Sequence, residues 1–283
     1  MTYFENSILT IPTARPTHQS RTPCELAGGE SCAVASECMA IETPRCIPNA
    51  SRAKQLELAA AAFRRFEWID ALDPSTIELF LREGKLQFVE RDQVITRRGD
   101  KFDYLWIVLS GAIEVSIVSP EARKQIASFI SHGEFINLVP YLDGGVVAYD
   151  AIARTDGLLL AVTRNTAETA RATDPGLTRL LIDKLCYRAR KVYQLLPDHS
   201  LLSLRKRCMM TLLYLADTFG LDTGKGKFIG LKVSQGELAD VVGCSRPKLN
   251  LEIKELEREG LIEIFYSRIR ILDHPRLLAL AME

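Results

Sequence analysis

Residues 233–272, VSQGELADVVGCSRPKLNLEIKELEREGLIEIFYSRIRIL, constrain the chain most. Ser234 stands where a helix N-cap belongs, its hydroxyl able to accept from the free N–H groups of a first turn. Leu238, Val241 and Val242 follow at helical spacing and give one apolar face. Gly243 falls where a left-handed residue closes a helix. Ser245 is placed to cap the next helix. Pro247 lies in its first turn, where a missing N–H costs little. Leu249, Ile253 and Leu256 form a second apolar stripe, and Gly260 stops it. Two short helices joined by a tight turn at Gly243 and Cys244 are the pattern of a helix-turn-helix, whose second helix can enter a DNA major groove. Residues 261–265 and 269–272 read as two short strands around a turn at 266–268, a wing. The plain alternative is a pair of helices that only packs a core.

The chain has 283 residues, 47% of them hydrophobic, enough for packed cores in two domains. No apolar run approaches the roughly 18 residues that span a bilayer, so no membrane association is expected. The first residues lack a basic start followed by an apolar core, so no secretory signal and a cytoplasmic location are expected. The formal net charge is zero. DNA binding depends on local charge, however, and residues 200–272 hold 12 Lys and Arg against 9 Asp and Glu, a modest basic footprint.

Upstream, residues 1–50 are rich in Thr, Pro, Ser, Cys and Ala without a sustained period and read as a poorly ordered tail. Residues 51–66 read as a helix, and Asp73 with Pro74 opens another. From residue 86 to 162 the pattern becomes short β runs: 88–89, 94–95, 105–109, 113–117, 126–130, 148–152 and 158–162. Their spacing predicts a compact antiparallel barrel or jelly roll, with the sharpest turns at Gly99 and Asp100 and at Ser110 and Gly111. Residues 176–196 return to helix. Ile182, Leu185, Ala189, Val192 and Leu196 alternate steps of three and four, as in a coiled-coil seam, while Leu177, Leu180 and Leu181 lie beside it and can pack on the β domain. An ordinary buried amphipathic helix fits the same pattern. Pro197 and Asp198 mark a hinge, and 202–219 a further long helix. The predicted fold class is α+β: a tail (1–50), a helical lead-in with a jelly-roll-like β-roll (51–165), a dimerisation helix (166–197) and a winged helix-turn-helix (198–283).

The stretch ELADVVGCSRPKLNLEIKELEREGLI resembles the helix-turn-helix of the Crp/Fnr family of bacterial transcription regulators. The order VITRRGD, LWIVLSGAIEVSI, GEF is similar to the cyclic-nucleotide-binding β-roll in the N-terminal half of those regulators. The resemblance implies a homodimer on a palindromic promoter site in double-stranded DNA, with RNA polymerase as partner through the loop 218–227 or the β-roll surface. In the family an Arg at the position of Arg246 reads a guanine, whose O6 and N7 acceptors match the guanidinium fork. The residue type alone fits a phosphate contact equally well. Lys248 and Asn250 are candidates for base or phosphate contact, and Ser234 and Ser245 can offer donors to phosphates at helix N-termini. The family's best-known member has Glu after that Arg and a second Arg four residues beyond the Glu. Here those positions are Pro247 and Leu251, so the half-site is expected to differ.

Cyclic-nucleotide sensors of the family hold the ribose with a Gly-Glu pair and the phosphate with an Arg and a hydroxyl. Gly133, Glu134 and Phe135 match the start of that cassette. Asn137 and Leu138 then stand at the ribose pair, Ala148 and Tyr149 at the phosphate pair, and no Arg lies between Gly133 and Ile152. A buried phosphate needs charge-assisted donors. No binding of cyclic AMP or cyclic GMP is therefore expected, and Gly133, Glu134, Asn137 and Tyr149 are left as candidate contacts for some other effector. Cys24, Cys32, Cys38 and Cys46 equal in number the ligands of an iron–sulfur cluster or a zinc ion. Their gaps of seven, five and seven residues lack the close pair that preorganises a chelate, which favours reduced, unliganded thiols over a metal or a redox sensor. Cys186, Cys208 and Cys244 are expected to be small core residues.

Nothing in the chain forms a nucleophile–base arrangement or a phosphate loop, so an enzyme is not expected. A homodimeric, signal-responsive DNA-binding regulator is the favoured reading. A same-fold regulator without an effector, and a β-roll signalling module whose helix-turn-helix contacts protein, are the rivals.

Overall fold

The computed structural model describes residues 52–119, 124–195, 202–265 and 268–283, without side chains for 191–195. Helix α1 (Arg52–Phe63), a 3-10 turn (Ile69–Ala71) and α2 (Pro74–Glu83) lead into β1 (Lys85–Val89), β2 (Val94–Thr96), β3 (Tyr104–Ser110), β4 (Ile113–Val118), β5 (Lys124–Ile130) and β6 (Phe135–Ile136). Helix α3 (Leu138–Asp143) precedes β7 (Asp150–Ala153) and β8 (Gly157–Thr163), after which come α4 (Arg164–Thr173) and the 21-residue α5 (Pro175–Leu195). The C-terminal part runs α6 (Leu204–Phe219), β9 (Gly220–Thr223), β10 (Gly226–Ile229), α7 (Gln235–Val242), α8 (Arg246–Arg258), β11 (Ile262–Phe265), β12 (Arg268–Ile271) and α9 (His274–Met282).

The continuous apolar runs of β3 and β8 follow from burial on both faces. The two strands pair antiparallel, in a sheet of order β1-β8-β3-β6. Side chains alternate across a strand. Leu105, Ile107 and Leu109 with Leu158, Leu160 and Val162 pack with α1, α2, α4 and α5 through Phe63, Phe80, Ala167, Leu177 and Leu181. Trp106, Val108, Leu159 and Ala161 point the other way, onto Ile113, Ile130, Ala151 and Ala153 of the second sheet, β2-β7-β4-β5. The fold is thus α+β, with an antiparallel β-roll whose helical side carries α5. Gly111, at φ +93°, brings the β3–β4 turn against the β7–β8 turn: a Cβ there would stand 2.9 Å from Asp156 O and from Gly157 Cα.

Asp174 ties the helices to this scaffold. Its carboxylate is buried and accepts from Asp73 N at 2.9 Å, Thr76 Oγ1 at 2.8 Å and Gly176 N at 2.8 Å, joining the starts of α2 and α5. Leu177, Leu180 and Leu181 are buried on the β-roll, as their place beside the seam predicts.

Several elements differ from the sequence reading. The lead helix stops at Phe63, and Phe63 and Phe66 turn into the core. β6 and α3 occupy a stretch with no periodic signal, because Asn137 takes a left-handed conformation, φ 52°, that starts α3 abruptly. α4 arises from Thr163, whose hydroxyl accepts from Thr166 N at 3.3 Å. The expected loop 218–227 is the end of α6 followed by the β9–β10 hairpin, which pairs from Gly226 with Thr223 to Ile229 with Gly220. That hairpin enlarges the wing into the sheet β11-β12-β10-β9. Cys208 is buried as expected and Cys244 half-buried, but Cys186 is exposed, on the outward side of α5 near Ile182. The hinge at Pro197 and Asp198 and the tail cysteines Cys24, Cys32, Cys38 and Cys46 lie outside the described residues.

Candidate nucleic-acid interface

The helix-turn-helix is built by local chemistry first. Ser234 and Glu237 form a reciprocal capping box: Ser234 Oγ accepts from Glu237 N at 3.2 Å, and Glu237 Oε2 accepts from Ser234 N at 2.8 Å. Gly243, at φ 72°, closes α7, and Cys244 N donates to Ala239 O. Leu238, Ala239 and Val242 of α7 and Leu249, Ile253 and Leu256 of α8 are buried in one core with α6 and α9. Arg207 of α6 secures the turn from outside, its Nη1 donating to Val242 O at 3.0 Å. A cation at a helix C-terminus complements both the free carbonyls and the helix dipole. No sequence signal marks this role, since Arg207 lies 35 residues from its acceptor.

This packing turns a polar face outward. Arg246, Lys248 and Ser245 are exposed at the start of α8. Arg246 and Lys248 make no ion pair among the described residues. Ser245 occupies the N-cap position without a side-chain capping bond, so the expected cap is positional only. Ser234 spends its backbone N–H on Glu237 and keeps only its hydroxyl proton to donate. Asn250 Oδ1 accepts from Gln235 Nε2 at 3.2 Å, a bond between the two helices that leaves its own amide donors. In the wing, Arg270 pairs with Glu263 at 2.8 Å and lies over the Phe265 ring at 5.0 Å, while Arg268 lies over Phe228 at 5.5 Å. These two cations help hold the wing together.

The reading domain also packs against the β-roll. Tyr214 Oη of α6 donates to Phe129 O and accepts from Phe129 N, both at 2.9 Å, and Phe219 stands edge-on to the Phe129 ring at 6.3 Å. Burial raises the Tyr214 phenol above its ordinary pKa. Nearby, Glu114 is fully buried, with Lys124 Nζ at 2.6 Å and Arg154 Nε at 3.7 Å. Arg154 also pairs with Glu237, the capping residue of α7. Ile113 and Val115 face the β-roll core, so Glu114 points from the opposite face of β4, and a charge chain runs from that covered face to the first helix of the DNA-reading pair. Burial is also the main cause raising the Asp240 carboxyl of α7.

The candidate effector residues serve different neighbours. Gly133 O accepts from Trp68 Nε1 at 2.7 Å. Glu134 faces α5, where Lys184 and Arg188 both pair with it. Asn137 Nδ2 donates to Thr96 Oγ1 at 2.9 Å, and Tyr149 is exposed. Of the seam residues, Ile182 is 48% exposed, while Leu185 and Ala189 are half-buried, Leu185 packing on the β-roll core. Val192 lies in α5 with its side chain outside the described set, and Leu196 lies outside the described residues.

A β-roll bearing a long helix and followed by a winged helix-turn-helix with an outward cationic helix start defines a DNA-binding regulator. Residues 86–174 match the cyclic nucleotide-binding domain, and residues 206–280 match the Crp-like helix-turn-helix domain. The chain is 23% identical over 206 residues to a CRP-like cAMP-activated global transcriptional regulator of Mycobacterium tuberculosis, covering 73% of this chain and 92% of that one. A CRP/FNR-family transcriptional regulator from Thermus thermophilus superimposes with a TM-score of 0.60 at 26% identity, over 70% of this chain and 99% of that one. FixK2 of Bradyrhizobium japonicum shares the fold, with a TM-score of 0.62 at 19% identity over 70% of this chain and 96% of its own. The chain belongs to the Crp/Fnr family of transcriptional regulators and is not an enzyme. No helix of the described residues is long and apolar enough to cross a membrane.

Proposed function

We propose that the chain works as a cytoplasmic homodimer on palindromic promoter DNA, with Arg246 reading a guanine and RNA polymerase as its partner. The single observation that carries this is the exposed Arg246, without an ion pair among the described residues, at the N-terminal end of an α8 fixed by three buried side chains, Leu249, Ile253 and Leu256. A helix held that way presents its first turn to base edges. Lys248, Ser245, Ser234 and the Asn250 amide supply phosphate or base donors around it. Ile182, Leu185 and Ala189 support pairing of α5 with a second copy. Two-fold symmetry then sets two α8 helices about 34–36 Å apart, the repeat of one DNA turn. The exposed hairpin turn at Gly224 and Lys225 and the β-roll surface are the faces offered to the polymerase.

The chain's signal is something other than a cyclic nucleotide. Leu138 is buried where the family's ribose-binding carboxylate stands, and Ala148 and Tyr149 hold the phosphate-binding positions without a cation. An effector of more neutral chemistry, a metal or thiol chemistry at Cys24, Cys32, Cys38 and Cys46, or no effector at all are compatible with these residues. The test has two arms. Titration calorimetry with cyclic AMP and cyclic GMP is expected to show no binding at micromolar concentration; saturable heat overturns the effector reading. A gel shift over a salt series on genomic fragments is expected to show a steep salt slope, since phosphate binding releases counterions. A flat slope or no shift would favour the protein-contact role.

A further inference from the structure

We propose that Leu251 is a specificity-determining residue that contacts the C5-methyl group of a thymine, giving each half-site a required T·A pair. The proposal rests on α8 being the groove-reading helix. Leu251 is 67% exposed, more than any other large hydrophobic residue among those described. A single exposed leucine is ordinary on a protein surface; its position gives this one meaning. The α8 side chains that enter the core are Leu249, Ile253 and Leu256, and at about 100° per residue Leu251 lies on the opposite side of the helix. It sits one turn beyond the exposed Pro247, in line with Lys254 and Arg258 and five residues after Arg246. The outward face of α8 is therefore cationic at its start, with an apolar step from Pro247 to Leu251 following.

The chemistry selects the ligand. Leu251 has no donor or acceptor and cannot hydrogen-bond a purine edge or a cytosine amino group. The thymine methyl is the apolar group that a base pair presents in the major groove. Pro247 likewise lacks a side-chain hydrogen-bonding group and leaves the methyl contact unopposed. Covering one methyl group is worth about a fourfold change in affinity. Two half-sites carry two such contacts.

The experiment starts with the full-length protein and a half-site enriched from random duplexes. Each thymine of the enriched site is then replaced singly by deoxyuridine, which removes one methyl and keeps every hydrogen-bonding group. Affinities are compared by competition anisotropy at one salt concentration. One thymine per half-site is expected to lose about fourfold on replacement, and Leu251→Ala is expected to bind the thymine and deoxyuridine sites equally at that position. Leu251→Ala is mild for the fold, because the position is exposed and alanine favours helix; Leu251→Met, which restores an apolar reach, is expected to recover part of the preference. Indifference to deoxyuridine at every position overturns the methyl contact while leaving DNA reading intact, and so does a Leu251→Ala variant that keeps the same preference. Failure to enrich any sequence overturns both.

Discussion

At α8 the charges that the family uses face outward and one of them is kept: Arg246 stands exposed on a helix whose inner side is sealed by Leu249, Ile253 and Leu256. In the β6–α3–β7 cassette the family's charges would face inward, and their positions hold the buried Leu138 and the exposed Ala148 and Tyr149. The two regions answer to different physical constraints. A cation that reads DNA is solvated when idle and costs the fold nothing. A cation that waits in a pocket for a phosphate must be partly desolvated, which is costly unless the ligand or another charge answers it. On the proposed reading no nucleotide answers such a charge in the cassette, so its absence there favours stability, while a solvated Arg on a reading helix carries no such cost. Glu134 fits this contrast. It survives in the cassette, and both of its cationic partners, Lys184 and Arg188, come from α5.

The largest expected effect breaks the reading end. Arg246→Ala is expected to cost about 1–3 kcal/mol of specific binding and to relax one base position while leaving random-sequence binding nearly unchanged. Competition between an enriched site and random duplexes measures this, and equal loss on both would mean that Arg246 touches only phosphate. Next comes the charge chain joining the two regions. Arg154→Met leaves the fully buried Glu114 with Lys124 alone and leaves Glu237 with its capping bond from Ser234 N but without its cation. The expected loss is about 1–2 kcal/mol in denaturant unfolding, less than for a pair broken outright because Lys124 remains. A variant as stable as the parent would show that Arg154 is dispensable.

The smallest effect concerns thiols. Burial pushes the Cys208 pKa up to about 12, so at pH 8 its reactive thiolate is scarce, and the Cys244 thiol is raised as well. Among the three described cysteines, peptide mapping after brief alkylation at pH 8 is expected to find Cys186 labelled first, Cys244 slowly and Cys208 only after unfolding. Cys208 labelling should rise as the pH approaches its raised pKa. Early labelling of Cys208 in the folded protein would mean that the α6 core opens.

The reading domain was legible in the sequence because its determinants are local. The Ser234 cap, the Gly243 stop and the Leu249–Ile253–Leu256 stripe each act within a turn or two, and each appears where its spacing puts it. β3 and β8 were legible as apolar runs, though their two-sided burial explains why no alternation showed. What escaped depends on distant partners. Arg207 clamps carbonyls that sequence spacing cannot connect to it, and the left-handed Asn137 starts α3 where no periodicity begins. Cys186 read as a core residue because helical spacing tells that a face exists, and only packing tells that this one points outward. The β9–β10 hairpin read as a loop because its strands, GLDT and GKFI, each open on glycine and carry few β-branched or aromatic residues, unlike the equally short wing strands IEIF and RIRI.

The central claim is that α8 of a symmetric dimer reads DNA. Selection of the full-length protein on random duplexes tests it directly. The account predicts a two-fold symmetric consensus with half-sites one helical turn apart and an invariant guanine that becomes variable in Arg246→Ala. Enrichment without symmetry, or a consensus unchanged by that substitution, would contradict it.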